Sequence, residues 1–304
     1  MSELRVAADN VPLRHVLLAV AVMAVWGSNF VVIRIGLDHL PPLTFAALRF
    51  VLVFFPAMLV IKRPSVQWRN LAAYGLLIGG GQFGLLFIAM NGHITPALAS
   101  LVVQMQVFFT IGLVAVLSAE RVRQFQLAAL AIAVAGLALI VAHTDAMTTP
   151  LGLVLVLLAA LSWAGSNIVI RSTPQVDMLS YVVWAGPFSV VPLVAAALVF
   201  EGPSAMLTGI VQADAATWSA VLWQAVGNTL FGYAVWGWLL GRYPVASIAP
   251  MTLLVPVFGI ACSALFLGEP LQSWKLEAMA LVMLGLFINV TWPKLVSALK
   301  ARTA

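Results

Sequence analysis

Long apolar runs separated by short polar segments extend along the whole sequence. A helix needs about 20 mostly apolar residues to cross the hydrocarbon core of a bilayer, and ten runs are close to that length. Alternating segments of about ten residues, typical of membrane-spanning strands, are absent. The pattern predicts an all-α integral membrane protein with ten transmembrane helices. The expected spans are residues 13–35, 43–61, 70–91, 96–118, 125–142, 150–171, 179–200, 217–240, 245–267 and 274–292.

The composition supports this interpretation and excludes several classes of protein. Apolar residues make up 63% of the 304-residue chain and charged residues 8%, and the mean hydropathy is +1.07. A soluble domain averages about 25% charged residues, so a soluble enzyme is excluded. The 15 Lys and Arg residues form no basic run of the kind that binds nucleic acid. Cys262 is the one cysteine, so no internal disulfide can form.

The positions of Lys and Arg predict the orientation in the membrane. Short loops that carry these residues stay on the cytoplasmic side. Every loop and tail on one side of the ten spans carries Lys or Arg, whereas the other side has only Arg34 and Lys275. The remaining one, Arg49, lies inside the second span. We therefore expect both termini in the cytoplasm. The first run is too long for a signal peptide and is expected to be retained as a span.

The two halves of the chain repeat each other. The segment from Trp26 to Arg34 recurs as the segment from Trp163 to Arg171, and Leu117-Ser-Ala-Glu-Arg is echoed by Leu267-Gly-Glu-Pro. This divides the chain into residues 1–146 and 147–304, with five spans each. Because five is odd, the second unit enters the membrane from the opposite face. Inverted repeats of this kind are typical of transporters whose binding site lies at the midplane.

The same segments carry a resemblance to a known family. The stretch from Trp26 to Pro42 resembles the EamA family of the drug/metabolite transporter superfamily. The stretches from Ala97 to Thr110, Leu240 to Tyr243 and Ala249 to Pro256 resemble its bacterial O-acetylserine/cysteine exporters. The resemblance extends over the whole chain and also includes exporters of aromatic or broad sets of amino acids. It implies export of amino acids or related metabolites from the bacterial cytoplasm.

Polar and aromatic side chains near the middle of the spans mark a candidate binding site. Polar groups in a membrane usually face a partner or a cavity, and an amide beside an aromatic wall suits an amino acid. We expect spans 1, 3, 4, 6, 8 and 9 to line a central cavity, with spans 5 and 10 at the periphery. Interhelical packing is the alternative role. The candidate substrate-binding residues are Trp26, Asn29, Phe30, Gln82, Gln104, Gln106, Trp163, Ser166, Asn167, Asn228, Thr229, Tyr233 and Trp236.

Spacing along the helices refines this set. Trp26, Asn29 and Phe30 share one helical face, and the second half repeats the spacing from Trp163. Gln104 and Gln106 are roughly 200° apart around an α-helix, so we expect only one of them to face a single ligand. Small residues in the fifth span, Ala131 and Ala135, suit close helix packing. Gly80, Pro250 and Pro256 are candidate hinges, because glycine and proline interrupt helices.

Charged groups at depth are rare. Arg49 is the only charge deep in a span, and it is either a substrate contact or a structural charge. No carboxylate lies at mid-depth: Glu277 is about one turn into span 10, and Glu120 and Glu269 end spans 4 and 9. The membrane-embedded carboxylate of a small proton-coupled multidrug antiporter is therefore missing. Transport either follows the concentration gradient or is coupled through another group.

These observations lead to one functional prediction and one alternative. The leading prediction is an inner-membrane exporter of amino acids and related small metabolites that works by alternating access, with broad specificity. The alternative is an exporter of lipophilic cations from the same superfamily. The four histidines lie near span ends and no acid is buried, so we expect no enzyme, no cofactor and no metal. The expected partners are a small-molecule substrate and the lipid bilayer, without nucleic acid, for a monomer or weak dimer.

Overall fold

The computed structural model describes residues 11–118, 121–173 and 176–303. This part of the chain is helical and contains no strand. Glu120 lies outside the described residues. The helices are α1 (Leu13–Gly36), α2 (Pro42–Ala57), α3 (Trp68–Met90), α4 (96–118), α5 (Gln124–Ala142), α6 (Pro150–Arg171), α7 (Met178–Phe200), α8 (Gly202–Gln212), α9 (215–242), α10 (245–267) and α11 (Ser273–Thr303).

Within the described residues, eight helices are long and apolar enough to cross a membrane: α1, α3 to α7, α10 and α11. Helix α2 is apolar but has 16 residues. Helix α9 is long enough, but it carries Gln224, Asn228 and Thr229 in its middle. The all-helical, multi-pass membrane class is therefore confirmed. The arrangement of ten spans in two inverted units stays a prediction.

Some helix bounds differ from the sequence prediction. The second predicted span extends to residue 61, but α2 ends at Ala57, one residue after Pro56. The connection at 201–216 contains α8, which begins at Gly202 with a positive φ of 82° and has proline in its first turn. Glycine accommodates such a backbone without strain. Helix α11 continues past residue 292 to Thr303.

Four helices contain turns that are not α-helical. In α3 and α9, nine-residue π segments cover Leu76–Gly84 and Trp223–Phe231. In α4 and α10, short 3₁₀ segments cover Val103–Met105 and Ala249–Leu253. Such segments inside long helices often coincide with functional sites. The candidate hinge Gly80 lies in the first π segment.

Helix α5 packs on α11 through small residues, but not through the pair expected from the sequence. Ala131 and Ala135 are exposed. Ala129 and Ala133 are fully buried instead, and a Cβ atom at Gly285 of α11 would lie 2.5 Å from the Ala129 carbonyl oxygen. The close approach therefore uses the face of α5 that carries Ala129 and Ala133, and not the face that carries Ala131 and Ala135.

One end of the bundle is closed by contacts between distant segments. We call it the Arg34 end, and the opposite end the Arg171 end. The Glu201 carboxylate accepts hydrogen bonds from Leu43 N at 2.6 Å, Thr44 N at 3.0 Å and Thr44 Oγ1 at 2.7 Å. Thr149 N donates to the His93 carbonyl at 2.9 Å. These bonds tie the first turns of α2 and α6 to elements far away in the sequence.

A second carboxylate, Glu269, also holds the Arg34 end together. It accepts hydrogen bonds from Ala97 N in the first turn of α4, from Ser263 of α10 and from Lys275 of α11. Its side chain is 8% exposed and that of Lys275 is 11% exposed. Burial raises the pKa of Glu269. The hydrogen bonds from Ser263 and Lys275 and the positive charge of Lys275 lower this pKa by a larger amount, so the net shift is downward.

Candidate functional site

A cavity of about 340 Å³ lies between the helices. It has the size of a typical small-molecule site. Its lining comes from α1, α3, α4, α6, α9 and α10, with one residue from α7; α5 and α11 contribute no described lining residue. The lining residues are Trp26, Asn29, Phe30, Tyr74, Gln82, Phe83, Leu86, Val103, Gln104, Gln106, Trp163, Asn167, Ile170, Met178, Asn228, Tyr233, Trp236, Leu240, Thr252 and Val255.

The cavity is polar and aromatic but has no charged lining residue within the described part of the chain. It extends to Ile170 and Leu240, which lie within one helical turn of Arg171 and Arg242. At the Arg34 end, in contrast, the helices are in close contact: a Cβ atom at Gly209 would lie 2.7 Å from Pro41. The cavity therefore extends to the Arg171 end, although one lining residue, Leu86, lies about one turn from the Arg34 end of α3.

The cavity brings together most of the residues singled out in the sequence. All the candidate substrate-binding residues line it except Ser166 and Thr229. Gln104 and Gln106 line the same cavity, contrary to the expectation that only one would face it. The 3₁₀ turn at Val103–Met105 accounts for this. Residues two positions apart are separated by about 120° around a 3₁₀ helix, whereas the roughly 200° separation in an α-helix equals about 160° measured the shorter way round. Binding of substrate by these residues stays a prediction.

Trp26 organises one wall of the cavity. Its Nε1 donates a hydrogen bond to the backbone carbonyl of Asn228 at 3.1 Å. Its ring centroid lies 5.7 Å from that of Tyr233 and 5.7 Å from that of Trp236. Such tilted and edge-on contacts are the favoured geometry of aromatic pairs. The wall is a rigid aromatic surface with its indole N–H already engaged by the protein.

Asn167 on the opposite wall is held by other side chains. Its Nδ2 donates to Gln106 Oε1 at 3.0 Å and to Thr110 Oγ1 at 3.2 Å. These bonds orient the amide so that its donors face the protein. Trp163 lies one turn before Asn167 on α6 and lines the cavity beside it.

Two residues that line the cavity each have a buried amide oxygen without a protein partner. These oxygens are Oδ1 of Asn29 and Oε1 of Gln82, on side chains that are 4% and 5% exposed. A buried acceptor without a hydrogen bond costs about 1–3 kcal/mol. Both oxygens suit a ligand that donates hydrogen bonds, such as an ammonium group.

Ser166, Thr229 and Arg49 lie behind the lining. Ser166 donates to the carbonyl of Trp163 on its own helix at 2.7 Å. Thr229 donates to the Gln224 carbonyl at 2.9 Å, an i to i−5 bond within the π segment, and accepts from Arg49 Nη2 at 2.8 Å. We infer that Ser166 and Thr229 support the cavity wall from outside.

Sequence reasoning missed several lining residues. Tyr74 is the most polar of them, eight residues before Gln82 on α3, and Phe83 follows Gln82 directly. A tyrosine at two-turn spacing from a mid-span amide is a detectable signal on the same helical face. Met178, Ile170 and Leu240 carry no such signal, because apolar residues near span ends are common. No cluster of three His, Cys, Asp or Glu side chains occurs in the described residues.

Comparison with known proteins identifies the class of this polytopic membrane protein. Residues 13–142 and 150–291 each match the EamA-like transporter family. The chain belongs to this family of transporters.

Several relatives are named as exporters of amino acids or their metabolites. The chain is 43% identical to a "Probable amino-acid metabolite efflux pump" of Salmonella typhimurium and 41% identical to one of Escherichia coli K12, each over 90% of this chain and 93% of the relative. It is 26% identical to a "Probable terminal-alkyne amino-acid exporter" of Streptantibioticus cattleyicolor, over 88% of this chain and 91% of that protein.

A solved crystal structure has a similar fold. It aligns with 94% of this chain and 99% of its own, with a TM-score of 0.60 and 18% sequence identity. At this identity the likeness concerns the fold alone.

Proposed function

We propose that this transporter exports amino acids and related small metabolites across the bacterial inner membrane by alternating access. The observation that carries the proposal is the cavity whose described lining is uncharged and rich in amide and aromatic groups, and which extends to the Arg171 end while hydrogen bonds hold the Arg34 end together. The names of the relatives from Salmonella typhimurium and Escherichia coli K12 point to the same substrates.

The transport unit is ten spans in two inverted repeats, residues 1–146 and 147–304. Two matches to one family, on either side of residues 143–149, support this division. The irregular turns support it as well, because the π segments begin at Leu76 and Trp223 and the 3₁₀ segments begin at Val103 and Ala249, at nearly equal offsets. Corresponding helices of the two units thus carry the same deformation next to the cavity.

The Arg171 end is the cytoplasmic end in this proposal. Arg171 and Arg242 lie there, and Lys and Arg favour the cytoplasmic side. The cavity reaches this end, and Glu201 and Glu269 hold the Arg34 end together. The conformation is therefore inward-facing, ready to accept a substrate from the cytoplasm. Export requires these contacts at the Arg34 end to open.

The cavity suits a small zwitterion. The unpartnered oxygens of Asn29 and Gln82 accept hydrogen bonds from an ammonium group, and the Trp26 wall packs against an apolar side chain. Several shapes of side chain fit one flat aromatic wall, which is the reason for broad specificity. Because the described lining holds no carboxylate, transport follows the substrate gradient without proton coupling.

A lipophilic cation is the second candidate substrate. The ring faces of Trp26, Tyr233 and Trp236 favour it, since aromatic faces attract cations. No acidic residue among the described lining residues compensates its charge, so the zwitterion fits better.

Counterflow in proteoliposomes tests the proposal. Vesicles are loaded with one unlabelled amino acid, and uptake of labelled threonine, cysteine or phenylalanine is followed with and without a pH gradient. Saturable exchange of several amino acids that is insensitive to the gradient is expected. Absence of exchange for every amino acid contradicts the proposal and directs the test to lipophilic cations. Accumulation driven by the gradient contradicts the uncoupled mechanism.

A further inference from the structure

Arg49 is a fully buried cation with no counter-ion among the described residues. Its side chain is 0% exposed, and Nη2 donates one hydrogen bond, to Thr229 Oγ1 at 2.8 Å. Nε and Nη1 are buried and have no hydrogen-bond partner. A guanidinium offers five donors in a planar fork that matches a carboxylate. Most of this binding capacity is unused in the conformation described here.

Two other cations, one buried and one near the end of a helix, have acidic partners. Lys275 contacts Glu269 at 2.9 Å, and Arg34 contacts Asp38 at 2.6 Å. Arg49 has no acidic partner in the described part of the chain. Aromatic rings surround it instead: the guanidinium carbon lies 3.8 Å from the ring centroid of Phe83 and 5.0 Å from that of Phe50.

Aromatic rings compensate a buried charge incompletely. A cation–π contact contributes about 0.5–2 kcal/mol, whereas removing a charge from water costs several kcal/mol. The protein therefore keeps an intramembrane charge at a cost that its own described groups do not offset. Intramembrane charges of this kind usually belong to a functional site.

Arg49 is separated from the cavity by residues that line it. Phe83, whose ring lies on the guanidinium, is a lining residue. Tyr74 and Tyr233 also line the cavity, and both are close enough to Arg49 to interact with its charge. The Phe83 ring thus lies between the guanidinium and the cavity, and the neighbouring lining residue Gln82 has an unpartnered amide oxygen.

We propose that Arg49 binds the carboxylate group of the transported substrate, with the Phe83 ring occupying the carboxylate position when the cavity is empty. This inference rests on the proposed function and narrows it to monocarboxylates, above all α-amino acids. The carboxylate accepts hydrogen bonds from guanidinium N–H groups that have no partner in the empty cavity, and the ammonium group of the same molecule faces the amide oxygens of Gln82 and Asn29. One buried cation matches one carboxylate, so substrates with several negative charges are excluded.

Competition between an acid and its amide tests the proposal. Proteoliposomes exchange labelled phenylalanine, and the competitors are unlabelled phenylalanine and phenylalanine amide, which lacks the carboxylate. In the wild-type protein the amide is expected to compete at least about tenfold more weakly, the size of a charged hydrogen bond. Arg49→Gln should remove this difference and Arg49→Lys should retain part of it. An unchanged ratio in Arg49→Gln overturns the proposal.

Two phenylalanine variants test the proposal independently, in case Arg49→Gln does not fold. Phe83→Leu removes the ring that covers the guanidinium and should strengthen the preference for the acid over the amide. Phe50→Leu is the matched control, because Phe50 also contacts Arg49 but does not line the cavity; its ratio should equal that of the wild type. A Phe83→Leu variant with an unchanged or smaller preference for the acid contradicts the proposal.

Thermal unfolding separates this inference from the proposed function. Purified protein in detergent is heated with and without 3-phenylpropionate, a carboxylate without an ammonium group. Stabilisation that is lost in Arg49→Gln but kept or increased in Phe83→Leu, with no amino-acid counterflow in the wild type, rejects the proposed function and keeps the inference for other monocarboxylates. Normal counterflow, with neither an acid preference nor stabilisation by the carboxylate, rejects the inference and keeps the proposed function.

Discussion

The carboxylate of Glu201 accepts a hydrogen bond of 2.6 Å from the backbone N–H of Leu43, a residue of the other half of the chain. Glu269 has the corresponding relationship with Ala97 N at 3.3 Å. Both acids lie just after a helix and both cap the first turn of another helix at the Arg34 end. Carboxylates are favourable there, because the N-terminus of a helix carries partial positive charge and free N–H groups.

Glu201→Ala should weaken the closure of the Arg34 end. Three hydrogen bonds to a carboxylate are lost, and we expect a destabilisation of about 1–3 kcal/mol. The measurement is the thermal unfolding midpoint in detergent, together with the reaction of a cysteine placed at Leu40 with an impermeant maleimide in a Cys262→Ala background. The cysteine at position 40 should react faster with the maleimide in Glu201→Ala than in the protein with Glu201.

Asp177→Ala is the control for this experiment. Asp177 caps the other end of the same helix, α7, by accepting a hydrogen bond from Ser180 N three residues on at 2.7 Å. Its loss should lower stability by a similar amount without changing the labelling rate at Leu40. Equal labelling rates in the wild type and in Glu201→Ala would contradict a role of Glu201 in closure.

Acid should loosen the contact between Glu269 and Lys275. The pKa of Glu269 is lower in the folded protein than its ordinary value of 4.5. The ionised form is therefore the stabilised one, so its contribution is complete above pH 4.5 and is lost as the pH falls through 4.5 and then through the lower folded pKa. Unfolding midpoints measured across this range should fall in the wild type, and Lys275→Met should lose stability already at neutral pH. A midpoint independent of pH down to about 3 would disprove this role.

Neighbouring glycines of α3 should respond differently to alanine. A Cβ atom at Gly79 would lie 2.4 Å from Cβ of Ser189 on α7, whereas a Cβ atom at Gly80 meets nothing within 4 Å. Gly79→Ala should therefore destabilise the protein by about 1–3 kcal/mol, and Gly80→Ala should leave it folded. Thermal unfolding checks both. If Gly80 is a hinge, Gly80→Ala should also slow counterflow; full counterflow would assign the hinge elsewhere.

Substitutions on α6 should separate cavity residues from supporting ones. Trp163→Ala or Asn167→Ala should lower counterflow without loss of membrane insertion, because both line the cavity. Ser166→Ala is the matched control: Ser166 is buried and bonds to its own helix, so transport should stay close to that of the wild type. Normal counterflow in both Trp163→Ala and Asn167→Ala would reject the site.

Glu277→Gln should not change the pH dependence of transport. Glu277 is exposed on α11, a helix that contributes no described residue to the cavity. Counterflow measured across a pH series should give the same profile for variant and wild type. Loss of a proton response in the variant would show that Glu277 takes part in coupling.

The sequence predicted the residues that line the cavity better than it predicted the bounds of the helices. Mid-span polar residues such as Asn29, Gln82 and Asn228 indicate the cavity. A polar side chain that faces lipid has a high free-energy cost, so such residues usually face a cavity or a partner. Apolar length is less informative for α2 and α9, which are either short or interrupted by polar residues. Helix α8 was missed, because its composition is that of an ordinary connection.

Local deviations from α-helical geometry explain the remaining errors. The placement of Gln104 beside Gln106 depends on a single 3₁₀ turn, which spacing arguments based on an α-helix do not include. Helix α5 contacts α11 through Ala129 and not through the expected Ala131. The prediction failed because several faces of that helix carry alanine. Where composition is uniform around a helix, only the tertiary contacts decide which face is buried.

The uncharged cavity lining has a consequence for the energy balance of the cell. Moving one elementary charge through a membrane potential of 100 mV involves about 2.3 kcal/mol. A zwitterion has no net charge, so its passage moves none, and the described lining contributes no charge that could move with it. On the proposed function, export is therefore electroneutral, and membrane voltage neither drives nor opposes it. On this proposal, a cell without a membrane potential would still export its substrates, and many copies of the protein would carry no current across the membrane.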